Sequence, residues 1–274
     1  MRFSSDSEES ISMELRPTER KAGSGLISGK ITAGIQLGYR NFTKPHLAYR
    51  LGLFWVVLDP LLRAIVFTFL IIVIRGKASP ESLVIGVFTI NALNNSISSS
   101  MNARLSEEPF PLSHTPSLAI IVSKITSDVL TAIFLGLSGS IILVTFTEIP
   151  FTIFLFLPVS CMVLSLIGSG VGLLFSPIVT VVKDLSKVIS YLLLLSFFLQ
   201  CVLYSFSETE GLHRAVLSWL PHTILVEWVR SASPGNDYPF SLKHAITVIF
   251  SWFVPMLYGF FRFNHYRWRS TTWS

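Results

Sequence analysis

Charge is scarce in this chain. Only 14% of its 274 residues are Asp, Glu, Lys or Arg, against about 25% in an ordinary soluble protein. With 51% hydrophobic residues and a mean hydropathy of +0.61, that shortage argues against a water-soluble domain and for the bilayer as solvent. Cysteine is scarcer still. Cys161 and Cys201 are the whole complement, each inside an apolar run, so no disulfide framework is expected and small apolar packing is their default role.

Sites for chemistry are missing as well. No HExxH, GxSxG or paired-cysteine metal spacing occurs, and the six histidines are scattered, so nothing reads as a catalytic or metal centre. The stretch "GSGLISGKIT" comes nearest to a phosphate-binding loop. It fails because Ser24 stands where the first glycine is needed and Ile31 where a Mg²⁺-binding hydroxyl is needed. No nucleotide, metal or other cofactor is therefore expected on this chain. The first 30 residues lack the apolar core of a cleavable signal, so the first span is expected to direct insertion itself.

What the sequence does have is long apolar runs. About 20 residues of helix cross the hydrocarbon core, and six segments reach that length: 51–74, 82–101, 118–147, 150–175, 185–206 and 244–263. The expected class is an all-α polytopic membrane protein. Residues 1–30, Ser/Glu-rich at the start, read as a mobile cytoplasmic tail, and 31–274 as a single transmembrane domain. With both termini cytoplasmic, 14 of the 21 Lys/Arg fall inside and five outside, the sense of the positive-inside rule. The +5 net charge is thus a topological signal, and nucleic acid is not an expected partner.

Ahead of the first span, Ile31, Ile35, Tyr39 and Phe42 recur at helical spacing, with Arg40 and Lys44 on other sides and Pro45 ending the pattern. This describes an amphipathic helix in the membrane interface or an ordinary cytoplasmic helix. Between the last two spans, the apolar pieces 212–220 and 223–229 flank Pro221. Neither can cross, and backbone entering hydrocarbon must satisfy its own hydrogen bonds, so a short re-entrant helix pair is expected.

Polar residues inside spans are the candidate functional groups. Asp59 and Arg63, four apart with the acid first, share a helix face, and Pro60 marks a kink. A charge at mid-bilayer costs several kcal/mol, so the pair should face protein or water, either as a lock between helices or along a pathway. Asn91, Asn95, Ser98 and Asn102 draw a stripe down the second span that must meet other helices or an aqueous path. Lys124 and Asp128 open a third span longer than needed and are expected near the cytoplasmic interface. Gly136/Ser140 and Gly168/Gly172 read as close helix packing.

The motif "LGLFWVVLDPLL" resembles the L-G-x-x-W-x-x-L-x-P opening of the permeases of polysaccharide-export ABC transporters. The resemblance continues through "NARL" and "PFP" at 102–111, "KDL" at 183–185 and "WLPHTILVEWVR" at 219–230, and covers roughly residues 35 to 265. It implies a membrane subunit in the cytoplasmic membrane that exports a lipid-linked polysaccharide or similar glycan. It also implies a homodimer, surrounded by membrane lipid, with two copies of a separate ABC ATPase that bind the ATP and Mg. The loop carrying Asn102, Arg104, Glu107, Glu108, Phe110 and Pro111 would couple to that ATPase. Tyr204, Trp219, Pro221 and Trp228 would form an outer gate, the aromatics stacking on sugar rings or serving as an interfacial belt. The chain departs from the pattern at Asp59, where a neutral amide is common, at His222 after Leu220-Pro221, and at Glu107-Glu108, which replace basic residues. An exporter of drugs or other lipids is the related alternative. A membrane-embedded transferase would need a cluster of acid, base or His at one membrane face, which is not seen.

Overall fold

The computed structural model describes residues 24–47, 52, 54–75, 80–103, 117–147, 149–233 and 236–270. Among the described residues the chain is helical, without strands: α1 (Ser24–Leu47), α2 (Phe54–Arg75), α3 (Pro80–Met101), α4 (Ser117–Phe146), α5 (Ile153–Val181), α6 (Asp184–Leu199), α7 (Gly211–Leu217), α8 (Pro221–Arg230) and α9 (Leu242–Ser270), with a 3₁₀ turn at Phe206–Glu208. Among the described residues, three helical segments are long and apolar enough to cross a membrane by length and composition: Leu118–Phe146, Ile153–Val181 and Leu242–His265. Helix α3 carries its own polar residues, and α6 has only 16 residues.

The boundaries differ from expectation in three places. Helix α1 begins at Ser24, inside the segment expected to be tail, and runs through Pro45 to Leu47. The expected fifth span stops early: α6 ends at Leu199, and 200–205 form turns and extended backbone ahead of the 3₁₀ turn. The last helix instead extends to Ser270.

Helix α5 is the hub, packed by α3, α4 and α9. Apolar burial drives little association where the alternative solvent is lipid, so close van der Waals contact has to supply the stability. Small residues provide it. A Cβ on Gly172 would lie 2.5 Å from the carbonyl oxygen of Ile97, and one on Gly136 would lie 2.5 Å from Cα of Pro158. Ser140 donates to the carbonyls of Gly136 and Ile153. At the crossing of α5 and α9, a Cβ on Gly259 would run into the carbonyl of Gly170. Two of the apolar clusters among the described residues fill the centre of the bundle. One is built around Phe88, Leu135, Leu157 and Cys161, the other around Ile90, Leu93, Leu164 and Phe197.

Helix α1 uses the same device. Gly34 and Gly38 press on α4, where an added Cβ would meet Val122 and Ser123 at 2.7 Å. The stripe read from the sequence is largely on the outer side: Ile31, Ile35 and Tyr39 are exposed, while Phe42 is half-buried. The helix is therefore clipped to its neighbour by its glycines, leaving apolar side chains on the outside.

Candidate functional site

Helix α2 brings its charged pair together. Arg63 donates to the Asp59 carboxylate at 2.7 Å and to the side-chain oxygen of Asn91 on α3 at 3.3 Å. Asn91 is itself buried and donates to the carbonyl of Val87. The pair is not enclosed, because about half of each charged side chain remains accessible. Around it α2 exposes Leu62, Ile65, Val66 and Phe69. One face of the helix thus carries an ion pair amid apolar side chains, with Pro60 buried one residue after Asp59.

The polar row on α3 divides between two faces. Asn91 turns to α2, and Asn102 accepts from Ser186 on α6 at 3.1 Å while donating to the carbonyl of Ser98. Asn94, which the spacing argument passed over, donates to the carbonyl of Leu193 on α6. Asn95 instead lines a cavity with Ser96 and Ser99 against α1 and α4. A single stripe was expected because three- and four-residue steps share a side, but a helix packed on several neighbours shares those steps among them.

Asp128 lies level with the last turn of α3. It is buried, with one carboxylate oxygen accepting from Ser100 on α3 at 3.0 Å and from Ser169 on α5 at 2.9 Å. Ser96 and Ser165 join the same interface at 2.8 Å. The legible signal was the pair of four-residue serine steps, Ser96/Ser100 and Ser165/Ser169, which place two hydroxyls on each facing helix.

The segment between α6 and α9 is organised by a second ion pair. Arg230 and Glu227 meet at 2.8 Å with their side chains almost wholly buried. The guanidinium also donates to the carbonyls of Ser82, Val202 and Tyr204, and Glu227 accepts from the backbone N–H of Phe206. Pro221 opens α8, where its missing N–H does no harm. His222 beside it is buried against Thr89 of α3 at 3.2 Å. Burial first, and the Arg230 charge second, lower the His222 pKa to about 3, so the imidazole is neutral in the fold.

This gives a pH prediction with a defined sign. The unfolded chain takes up a proton on His222 near the ordinary value of about 6.5, whereas the folded chain does not until about pH 3. Its contribution is therefore full above about pH 6.5 and is lost as pH falls toward 3, by up to about 1.4 kcal/mol per pH unit. Thermal unfolding in detergent should show a downward slope below pH 6.5 that is shallower in His222→Gln. Identical slopes would remove His222 from the account.

The expected aromatic gate is only partly assembled. Trp219 is exposed, with His244 edge-on at 5.5 Å. Trp228 is half-buried and packed on Phe156 at 4.6 Å. The Tyr204 hydroxyl is engaged by the Leu199 carbonyl and His213. Arg104, Glu107, Glu108, Phe110 and Pro111 of the expected coupling loop lie outside the described residues.

Residues 36–233 match the family described as ABC-2 type transporter. None of the curated proteins matches the chain. The match begins within α1 and ends after α8, so it takes in both polar groups on α2 and α3 and the Arg230–Glu227 pair.

Proposed function

The chain belongs to the ABC-2 type transporter family, a multi-pass membrane subunit of an ABC exporter, and we propose that its cargo is a lipid-linked polysaccharide or similar glycan. The observation that carries this reading is the Asp59–Arg63–Asn91 group. It is half-accessible and sits on the helix that bears the glycan-permease-like opening motif. Charged atoms amid apolar surface are costly against lipid. They fit a surface covered by a second copy of the chain, or one bordering a path wet enough for a polar cargo. The working assembly is then a homodimer of this subunit in the cytoplasmic membrane, both termini cytoplasmic, with two ABC ATPase subunits supplying ATP hydrolysis. Glu107 and Glu108 would meet a basic groove on each ATPase.

Reconstitution with a partner ABC ATPase tests the cargo. ATP-dependent transfer of a lipid-linked glycan into vesicles is the expected result. Transfer of alkyl drugs or phospholipids with no glycan movement would overturn the reading. A double-mutant cycle on Asp59→Ala and Arg63→Ala tests the buried face. In a detergent-isolated monomer the coupling should be at most about 1 kcal/mol, as for exposed pairs. In the assembled dimer, measured through its dissociation, it should exceed about 2 kcal/mol because desolvation strengthens the attraction. Equal coupling in both states would leave the pair outside the interface.

A further inference from the structure

Between α1, α3 and α4 lies a cavity of about 230 Å³. Asn95, Ser99, Ser127 and Asp128 give it a polar wall, and Phe42 with Leu135 an apolar one. Asn95 is exposed at its edge, and among the described residues neither the Asn95 amide nor the Ser127 hydroxyl makes a side-chain hydrogen bond, although the Ser127 carbonyl accepts from Thr131. Asp128 is held from behind by Ser100 and Ser169. We propose that this cavity binds one uncharged or amino-substituted sugar ring of the cargo. The proposal rests on the glycan reading above.

Size and charge narrow the occupant. Water occupies about 30 Å³ in the liquid, so the space is that of roughly seven waters. A bare cation needs oxygens converging at about 2.3–2.6 Å, and a space this wide cannot provide that. A phosphate group is disfavoured because the lining holds a carboxylate and no Lys or Arg. A sugar ring matches both walls. Its hydroxyls donate to a carboxylate and pair with an amide that can both donate and accept, while its C–H face lies on an aromatic ring and a leucine. Place agrees with chemistry. Ser99 is two residues from the end of α3, which the expected topology puts on the cytoplasmic side, where an exporter loads.

The test uses the full chain in lipid nanodiscs. Cys161 and Cys201 are buried, so Ser127→Cys supplies the reactive thiol, and its rate of maleimide labelling is followed. Methyl glucoside, methyl mannoside and methyl N-acetylglucosaminide serve as free rings, their octyl counterparts as lipid-borne rings, and octyl phosphocholine as the control. At least one hexoside should slow labelling fivefold or more while the phosphocholine does not; protection by the octyl form alone would assign the site to lipid-borne sugar. Adding Asn95→Ala should reduce the protection at least threefold with unliganded labelling and elution unchanged, and Asp128→Asn should do the same where it folds. Absence of protection by every hexoside, equal protection by phosphocholine, or full protection in Asn95→Ala would overturn the proposal. Glycan export by the complete complex is scored separately. Export without protection removes the site and keeps the function, whereas protection without export does the reverse.

Discussion

Replacing Arg230 with alanine should be among the most damaging single changes in the described structure, lowering stability by about 3–5 kcal/mol. The guanidinium is buried and has a carboxylate and three backbone carbonyls as acceptors. Removing it leaves Glu227 charged and enclosed, with only the Phe206 N–H in support. Glu227→Gln should cost less, because the amide keeps an oxygen for both donors and no carboxylate is stranded. The measurement is the midpoint of thermal aggregation in detergent for the two variants and the double Arg230→Met/Glu227→Leu. An apolar replacement of the whole pair should recover part of the loss, since buried pairs often exchange for well-packed apolar groups without penalty. A single Arg230→Ala that behaves like the parent would mean the pair is not enclosed.

Gly259→Ala should be nearly as severe, although it adds one methyl group. That methyl would occupy the place of the Gly170 carbonyl, and backbone at a helix crossing cannot rotate away as a side chain can. Overpacking costs about 1–3 kcal/mol where neighbours can yield, and the upper end is expected here. Gly29→Ala is the matched control, since nothing lies within 4 Å of the added carbon and a helix gains about 1 kcal/mol from the exchange. Opposite signs for the two substitutions in the same detergent are expected. Equal effects would show that α5 and α9 do not meet through their glycines.

Much of the helical plan could be read from composition. A charge fraction of 14% and runs such as "YLLLLSFFLQCVLYSF" leave long helices as the way to satisfy backbone in lipid, and both small-residue pairs on α4 and α5 do mark close contacts. Helix ends were less legible. The run 185–206 is long and mostly apolar, with polar residues such as Lys187 and Gln200 scattered along it, so its composition did not fix a break at Leu199. The break follows from tertiary bonds, as Arg230 takes the carbonyls of Val202 and Tyr204 out of any helix. Helix α1 shows the same limit. Periodicity tells which residues share a side of a helix. It does not tell which side meets a neighbour, because Gly34 and Gly38 can serve for close contact as well as leucine does.

The Arg230 hydrogen bonds join the start of α3, the chain leaving α6 and the end of α8 at a single point. That end of the bundle is stitched through backbone carbonyls, whereas the other end of α3 is held through side chains, Ser96 on Ser165 and Ser100 on Asp128. Three segments far apart in sequence therefore share one anchor, and loss of that anchor should loosen all three together rather than one at a time.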